Sequence, residues 1–360
     1  MTSLLVFIFI LGLLIVIHEC GHFIAARRQG IMVEKFYLGF GPVVYKRKRG
    51  ETEYGISMIP LGGYVKLAGD SAGEHTGGQR EYLSKTPFQR MQVIFAGPLA
   101  NYVLGFLFFW LIFATGYPTL TAKVGGLVEG FGAEKAGVRA GDVITHIDGR
   151  AVATWEDLQE TVRSRQGAET LLISLTRGGQ EIQLSVPLRQ EQMNDILGYR
   201  RTVSLLGVTP DTEEVIEVRH GAAASFVFAA RKVVDLTVLN YRALFSMISG
   251  RLSVRESATG PLGIFFVTSK AAKMGLTAVL HLIAVLNVSL AIFNLLPLPV
   301  LDGGHLVFLM IEKLRGKSLS VRAEQIISQA GLALIISLAL LVTYNDILRF
   351  FGDRFSQLLK

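Results

Sequence analysis

LLVFIFILGLLIVIHECGHFI, residues 4–24, decides how the rest of the chain is read. The run is long enough to cross a bilayer core, which needs about 20 apolar residues, yet it holds His18, Glu19 and His22 near its far end. Charged and imidazole side chains at membrane depth are expensive, and as a rule they are functional. Two histidines four residues apart share one helical face, a spacing that suits two zinc ligands, and the adjacent Glu19 is placed to act as a base. A secretion signal fits poorly. Residues 1–5 carry no charge where a signal opens on a basic segment, and its apolar region does not hold His-Glu-x-x-His. The stretch implies metal-dependent hydrolysis inside a membrane.

Two histidines leave a zinc ion short of a third protein ligand. NLLPLPVLDGGH, residues 294–305, offers one. Here an apolar span breaks in a proline turn, and irregular backbone at membrane depth is tolerated only where it is buried in protein or lines a wet cavity. An aspartate in that setting needs a partner. Asp302 can give a carboxylate oxygen and leave a fourth position to water; the plainer alternative is a helix cap.

Taken together, HECGH at 18–22, GFGP at 39–42, GPLAN at 97–101 and NLLPLPVLDGG resemble the site-2 protease family. The closest likeness is to its bacterial members that cleave membrane-bound anti-sigma factors. The resemblance implies Zn2+ held at His18, His22 and Asp302, with Glu19 as general base and Asn294 assisting substrate binding. It further implies an inner-membrane endopeptidase acting on single-span membrane proteins such as anti-sigma factors, or on remnant signal peptides.

Composition agrees with a membrane enzyme carrying a soluble insert: half the residues are hydrophobic and only 18% are charged. The expected fold is a polytopic α-helical membrane protein with about four transmembrane helices, over Leu4 to Ile24, Val93 to Thr115, Leu276 to Leu296 and Ile326 to Thr343. The expected parts are an N-terminal membrane part (1–116), a PDZ domain (117–190), a linker (191–274) and a C-terminal membrane part (275–360). Lysine and arginine gather in the loops after the first span (Arg27 to Arg49) and before the last (Lys313 to Arg322). These belong on the cytoplasmic side, which puts the active site toward the cytoplasm and the PDZ domain outside. The net charge of +7 is then explained by topology and lipid contact; no recognition motif points to nucleic acid.

Between the first two spans, residues 43–67 alternate as a β-hairpin does, and the family comparison makes it a cytoplasm-side membrane element whose open edge can pair with an unwound substrate. In the insert, AGVRAGDVITHIDG at 136–149, a helix start at Thr154 and Asp157, and a hairpin across Gly178 and Gly179 resemble an α+β PDZ domain. Val124, Gly125, Gly126 and Leu127 would match the loop that receives a peptide carboxylate; a plain turn before a strand is the alternative. Only one such repeat is present. Residues 222–273 read as an amphipathic helix along the membrane interface with a basic face; a soluble helical linker packed under the PDZ domain is the alternative.

Cys20 points away from the histidine face and reads as a small buried residue. Asn287, seven before Asn294, shares its helical face, and His305 reads as support or packing beside Asp302. Two other classes remain open on sequence: a PDZ-bearing membrane adaptor or chaperone with a non-catalytic metal site, and a metal transporter. The oligomeric state is open.

Overall fold

The structure is a computed structural model that describes residues 2–71, 73–165, 167–257 and 259–358. The chain opens with α1 (Thr2–Arg28), β1 (Val33–Arg49), β2 (Thr52–Leu67) and α2 (Pro87–Thr115). An insert follows: β3 (Tyr117–Leu120), β4 (Val124–Leu127), α3 (Gly132–Lys135), β5 (Val143–Ile147), β6 (Arg150–Ala151), α4 (Trp155–Ser164), β7 (Thr170–Arg177) and β8 (Gln180–Pro187). It continues through β9 (Arg189–Asn194), β10 (Arg200–Leu205), β11 (Val208–Pro210) and β12 (Val215–Val218). The last third is helical: α5 (Ala222–Ile248), α6 (Val254–Ser257), α7 (Pro261–Met274), α8 (Leu276–Asn294), α9 (Asp302–Arg315) and α10 (Val321–Leu358). Two compact units result, one from residues 1–112, 223–244 and 253–360, the other from residues 113–222 and 245–252.

Among the described residues, the helices long and apolar enough to cross a membrane are α1, α2, α8 and α10, the four expected. The chain is an integral membrane protein. Lipid tails are as apolar as leucine, so helices in a bilayer associate through close packing and polar contacts rather than hydrophobic burial. α1 and α2 meet backbone to backbone: a Cβ on Gly21 would lie 2.2 Å from the Ala96 carbonyl oxygen. Ile10 and Leu14 of α1 pack on Ile283 of α8. A buried ion pair between Arg90 and Glu312 ties α2 to α9, and the buried Asp346 carboxylate of α10 accepts the Gly263 amide at 2.9 Å, in the first turn of α7.

The expected hairpin is part of something larger. Residues 43–49 pair with Ser57 back to Thr52. Residues 35–38 are flanked twice, by Glu53 to Ile56 in ascending order and by Lys66 to Gly63 in descending order. Four runs therefore lie in the order 43–49, 52–57, 35–38, 63–67. The folding-back of β1 is done by GFGP, where Gly39 and Gly41 take φ of 87° and 85°, a region open to glycine but costly for side chains. A Cβ on Gly39 would also lie 2.5 Å from the Ile59 carbonyl oxygen.

The insert holds a four-stranded antiparallel sheet, β6-β5-β7-β8, with α4 on it and a core that includes Ile144, Ile147, Leu158, Leu171, Ile173 and Leu175. This is a PDZ-like domain. Its boundary is later than expected at 190, because β11 pairs with β4 and β12 with β3; residues 191–222 are thus part of the folded insert rather than linker. Thr154 and Asp157 form the expected capping box of α4, and Gly178 and Gly179 turn β7 into β8. α5 meets α2 through side chains, with Phe226 on Phe106 at 5.0 Å between ring centres and Thr237 Oγ1 at 3.4 Å from the Tyr102 hydroxyl.

Candidate metal centre

α1 carries His18, Glu19 and His22 across one turn and a half of helix, so both imidazoles leave the same face. Their Nε2 atoms are 3.2 Å apart and their rings stand nearly perpendicular at 87°. Asp302 reaches them from the opposite end of the chain. The turn 295–301 ends α8 and starts α9, and it folds so tightly onto α9 that a Cβ on Gly303 or Gly304 would lie 2.2 Å from the carbonyl oxygen of Leu296 or Leu298. Only glycines let Asp302 begin its helix there. Asp302 Oδ2 lies 3.1 Å from His18 Nε2 and 3.6 Å from His22 Nε2.

These three separations bear on what the site can hold. An ion bonded at about 2.0–2.2 Å to tetrahedral donors spaces them about 3.3 Å apart, close to the three distances here. His22 Nδ1 is 2.9 Å from the Val93 carbonyl oxygen, a contact that needs the proton on Nδ1 and, in the neutral imidazole, leaves Nε2 as a lone pair. Asp302 Oδ2 is buried without a hydrogen-bond donor. Lone pairs facing one another at this spacing fit a divalent cation, and two imidazoles with one carboxylate are a donor set suited to zinc. Among the described residues no other group of three or more such side chains converges.

Packing around the ligands explains why small residues surround them. A Cβ on Gly97 would meet His22 Nε2 at 2.3 Å and His18 Cε1 at 2.9 Å. Gly97 of GPLAN therefore lets α2 lie against the imidazoles, a role that motif matching alone did not assign. Glu19 is within electrostatic reach of His18, His22 and Asp302. Beside it passes the 63–67 run of the sheet, since a Cβ on Gly63 would lie 3.1 Å from Glu19 Cγ.

The other sequence-nominated residues separate clearly. Cys20 is half-buried and outside the ligand group. Asn294 is the half-buried last residue of α8, eight positions before Asp302. Asn287 is fully buried and donates to the Ile283 carbonyl of its own helix. His305 is exposed and packs edge-on to Phe308.

Val124, Gly125, Gly126 and Leu127 are a strand rather than a loop or turn. They form β4, with Val124 fully buried, its amide donating to Asp142 and its carbonyl accepting from Gly141. Gly126 and Leu127 pair with Thr209 and Val208. A cavity of about 290 Å³ lies between α4 and residues 203–208, walled by Trp155, Leu158, Val162, Phe131 and Leu205.

The sequence profile described as Peptidase family M50 matches residues 6–338. A putative zinc metalloprotease of Campylobacter jejuni is 31% identical over 349 residues, covering 96% of this chain and 93% of that one. Zinc metalloprotease RasP of Oceanobacillus iheyensis is 30% identical over 432 residues, covering 98% and 100%. Regulator of sigma-W protease RasP of Bacillus subtilis is 27% identical over 430 residues, covering 97% and 99%. The solved PDZ domain of an SdrC-like protein from Listeria monocytogenes matches 26% of this chain and 88% of that one at 22% identity, with a TM-score of 0.20.

Proposed function

The chain belongs to peptidase family M50, the site-2 protease family, and from that premise we propose that it is a zinc-dependent intramembrane endopeptidase that cleaves the membrane helices of single-span proteins. The observation that carries the reading is the convergence of His18, His22 and Asp302 from opposite ends of the chain, with Glu19 beside them. Anti-sigma factors are the favoured substrates, because a relative spanning the whole chain is named for sigma-factor regulation. The basic loops favour a metal centre toward the cytoplasm and an insert outside, and similarity to bacterial relatives favours the bacterial inner membrane.

Bound zinc supplies Lewis-acid polarisation of a carbonyl and makes water easier to deprotonate. Glu19 takes one proton from the attacking water. The water oxygen bonds to the scissile carbonyl carbon, the carbon–nitrogen bond breaks, and Glu19 returns the proton to the departing amine. The 63–67 run is an outer strand of the sheet beside Glu19. An unwound substrate segment added there keeps its backbone hydrogen-bonded at membrane depth, which helix-to-strand conversion in lipid requires. Asn294, at the broken end of α8, is the candidate for holding that segment.

The test is cleavage of a tagged single-span substrate with a shortened outer end, in liposomes, by wild type and Glu19→Gln, before and after zinc removal and restoration. Cleavage that is lost in the variant and recovered with zinc supports the reading. A Glu19→Gln protein that cleaves normally overturns it.

A further inference from the structure

A metal-ligating imidazole as a rule donates its other ring N–H to an acceptor, which fixes its tautomer and plane. His22 does this through Val93. His18 does not: its Nδ1 is buried and has no hydrogen-bond partner among the described residues. The asymmetry between two ligands of one site calls for a partner on a neighbouring element.

α2 presents one. Val93, Gly97 and Asn101 are four apart and share a helical face. The middle member of this row touches both imidazoles. Asn101 is fully buried, and among the described residues neither its Oδ1 nor its Nδ2 has a hydrogen-bond partner. Side chains on a helix lean toward its N-terminus, so the Asn101 carboxamide leans back over the turn of Gly97, the level at which the rings stand. The chain directions agree. Ala26 clusters with Val93, Gly21 lies on Ala96, and Leu14 clusters with Phe108, so α1 and α2 run antiparallel. His22 is beside Val93, and His18, one turn earlier in α1, is displaced toward Asn101.

We propose that Asn101 is the positioning residue for His18: its Oδ1 accepts the Nδ1–H of His18, directly or through one water, and so directs the Nε2 lone pair at the metal. Val93 and Asn101 then form a matched pair on α2, one acceptor for each imidazole, with Gly97 making room between them. The role rests on the zinc reading above. It does not extend to Asn287, whose Nδ2 is already bonded within its own helix.

The test is the zinc dissociation constant of the full-length detergent-solubilised protein, measured by competition with a chromogenic chelator. Asn101→Leu, close in volume but without an acceptor, is expected to weaken zinc binding about 10- to 100-fold. Asn101→Asp, which keeps an acceptor in the same place, should hold zinc close to the wild-type affinity, and Asn287→Leu, an equally buried loss, should leave it unchanged. If Asn101→Leu does not fold, Asn101→Ala carries the same expectation. Wild-type affinity in Asn101→Leu, or an equal loss in Asn287→Leu, overturns the assignment. These outcomes are separate from failure of the zinc reading, which is a wild-type protein that binds no zinc at all.

Discussion

Two aspartates, the buried Asp142 in the insert and the half-buried Asp302 in the membrane unit, are held in opposite ways. Asp142 is saturated: the Arg177 guanidinium donates to Oδ1 at 2.8 Å and to Oδ2 at 2.7 Å, and the Arg139 amide adds a third bond at 2.8 Å. Asp302 meets no such donor on Oδ2, which faces two imidazole nitrogens. A carboxylate with both oxygens engaged by fixed donors is part of the scaffold. One aimed at other lone pairs is arranged for a cation. The difference lies in the partners, since both residues stand next to glycine in the sequence.

Glu19→Gln is expected to cut turnover about 10²- to 10⁴-fold while one zinc per chain is retained, read by cleavage rate and metal content on the same sample. Asp302→Ala should instead act on the metal. If removal of one of three ligands forfeits about a third of roughly 10 kcal/mol of binding, zinc affinity falls on the order of 10²-fold, measurable by chelator competition with little change in the apo protein's unfolding. Asp142→Asn should reverse that pattern. It is expected to lower the insert's stability by about 2 kcal/mol through weakened charge-assisted bonds, read by Trp155 fluorescence in denaturant on a Trp110→Phe background, with zinc affinity unchanged.

The smallest effect is in pH. Burial raises the Asp142 pKa, and the Arg177 guanidinium and the Arg139 amide outweigh it, holding the carboxyl below its ordinary range. The folded pKa lies under the unfolded value of about 3.9, so the stabilisation is complete above that value and is lost as pH falls through the folded pKa. The unfolding midpoint of the wild-type insert should therefore drop more steeply below about pH 4 than that of Asp142→Asn. Parallel curves would remove Asp142 from the scaffold role.

The metal centre was legible because its chemistry is local: HECGH puts two imidazoles on one face whatever surrounds them, and a proline-broken apolar span with an aspartate has few other uses. The four spans followed from apolar run length. The β-layer was read as one hairpin because alternation over 43–67 shows strands but not their second partners, which depend on the glycine bends at 39, 41 and 62. Val124 to Leu127 was read as a loop because two glycines within a strand look like a turn, and its partner, β11, lies about eighty residues further on. The closing of the insert by β11 and β12 and the packing of α5 on α2 were hidden for the same reason, being contacts between distant segments. Gly21 and Gly97 show the reverse limit. Their importance comes from what a side chain would strike, which no periodicity records.

The most direct measurement of the central claim is zinc K-edge X-ray absorption on the purified full-length protein, with metal content determined on the same sample. The account predicts one zinc per chain in a shell of nitrogen and oxygen at about 2.0–2.2 Å, including two imidazoles, and loss of that signal in a His18→Ala, His22→Ala protein. A sulfur scatterer at about 2.3 Å, which among the chain's residues would point to Cys20, or a protein that takes up no zinc, would contradict it.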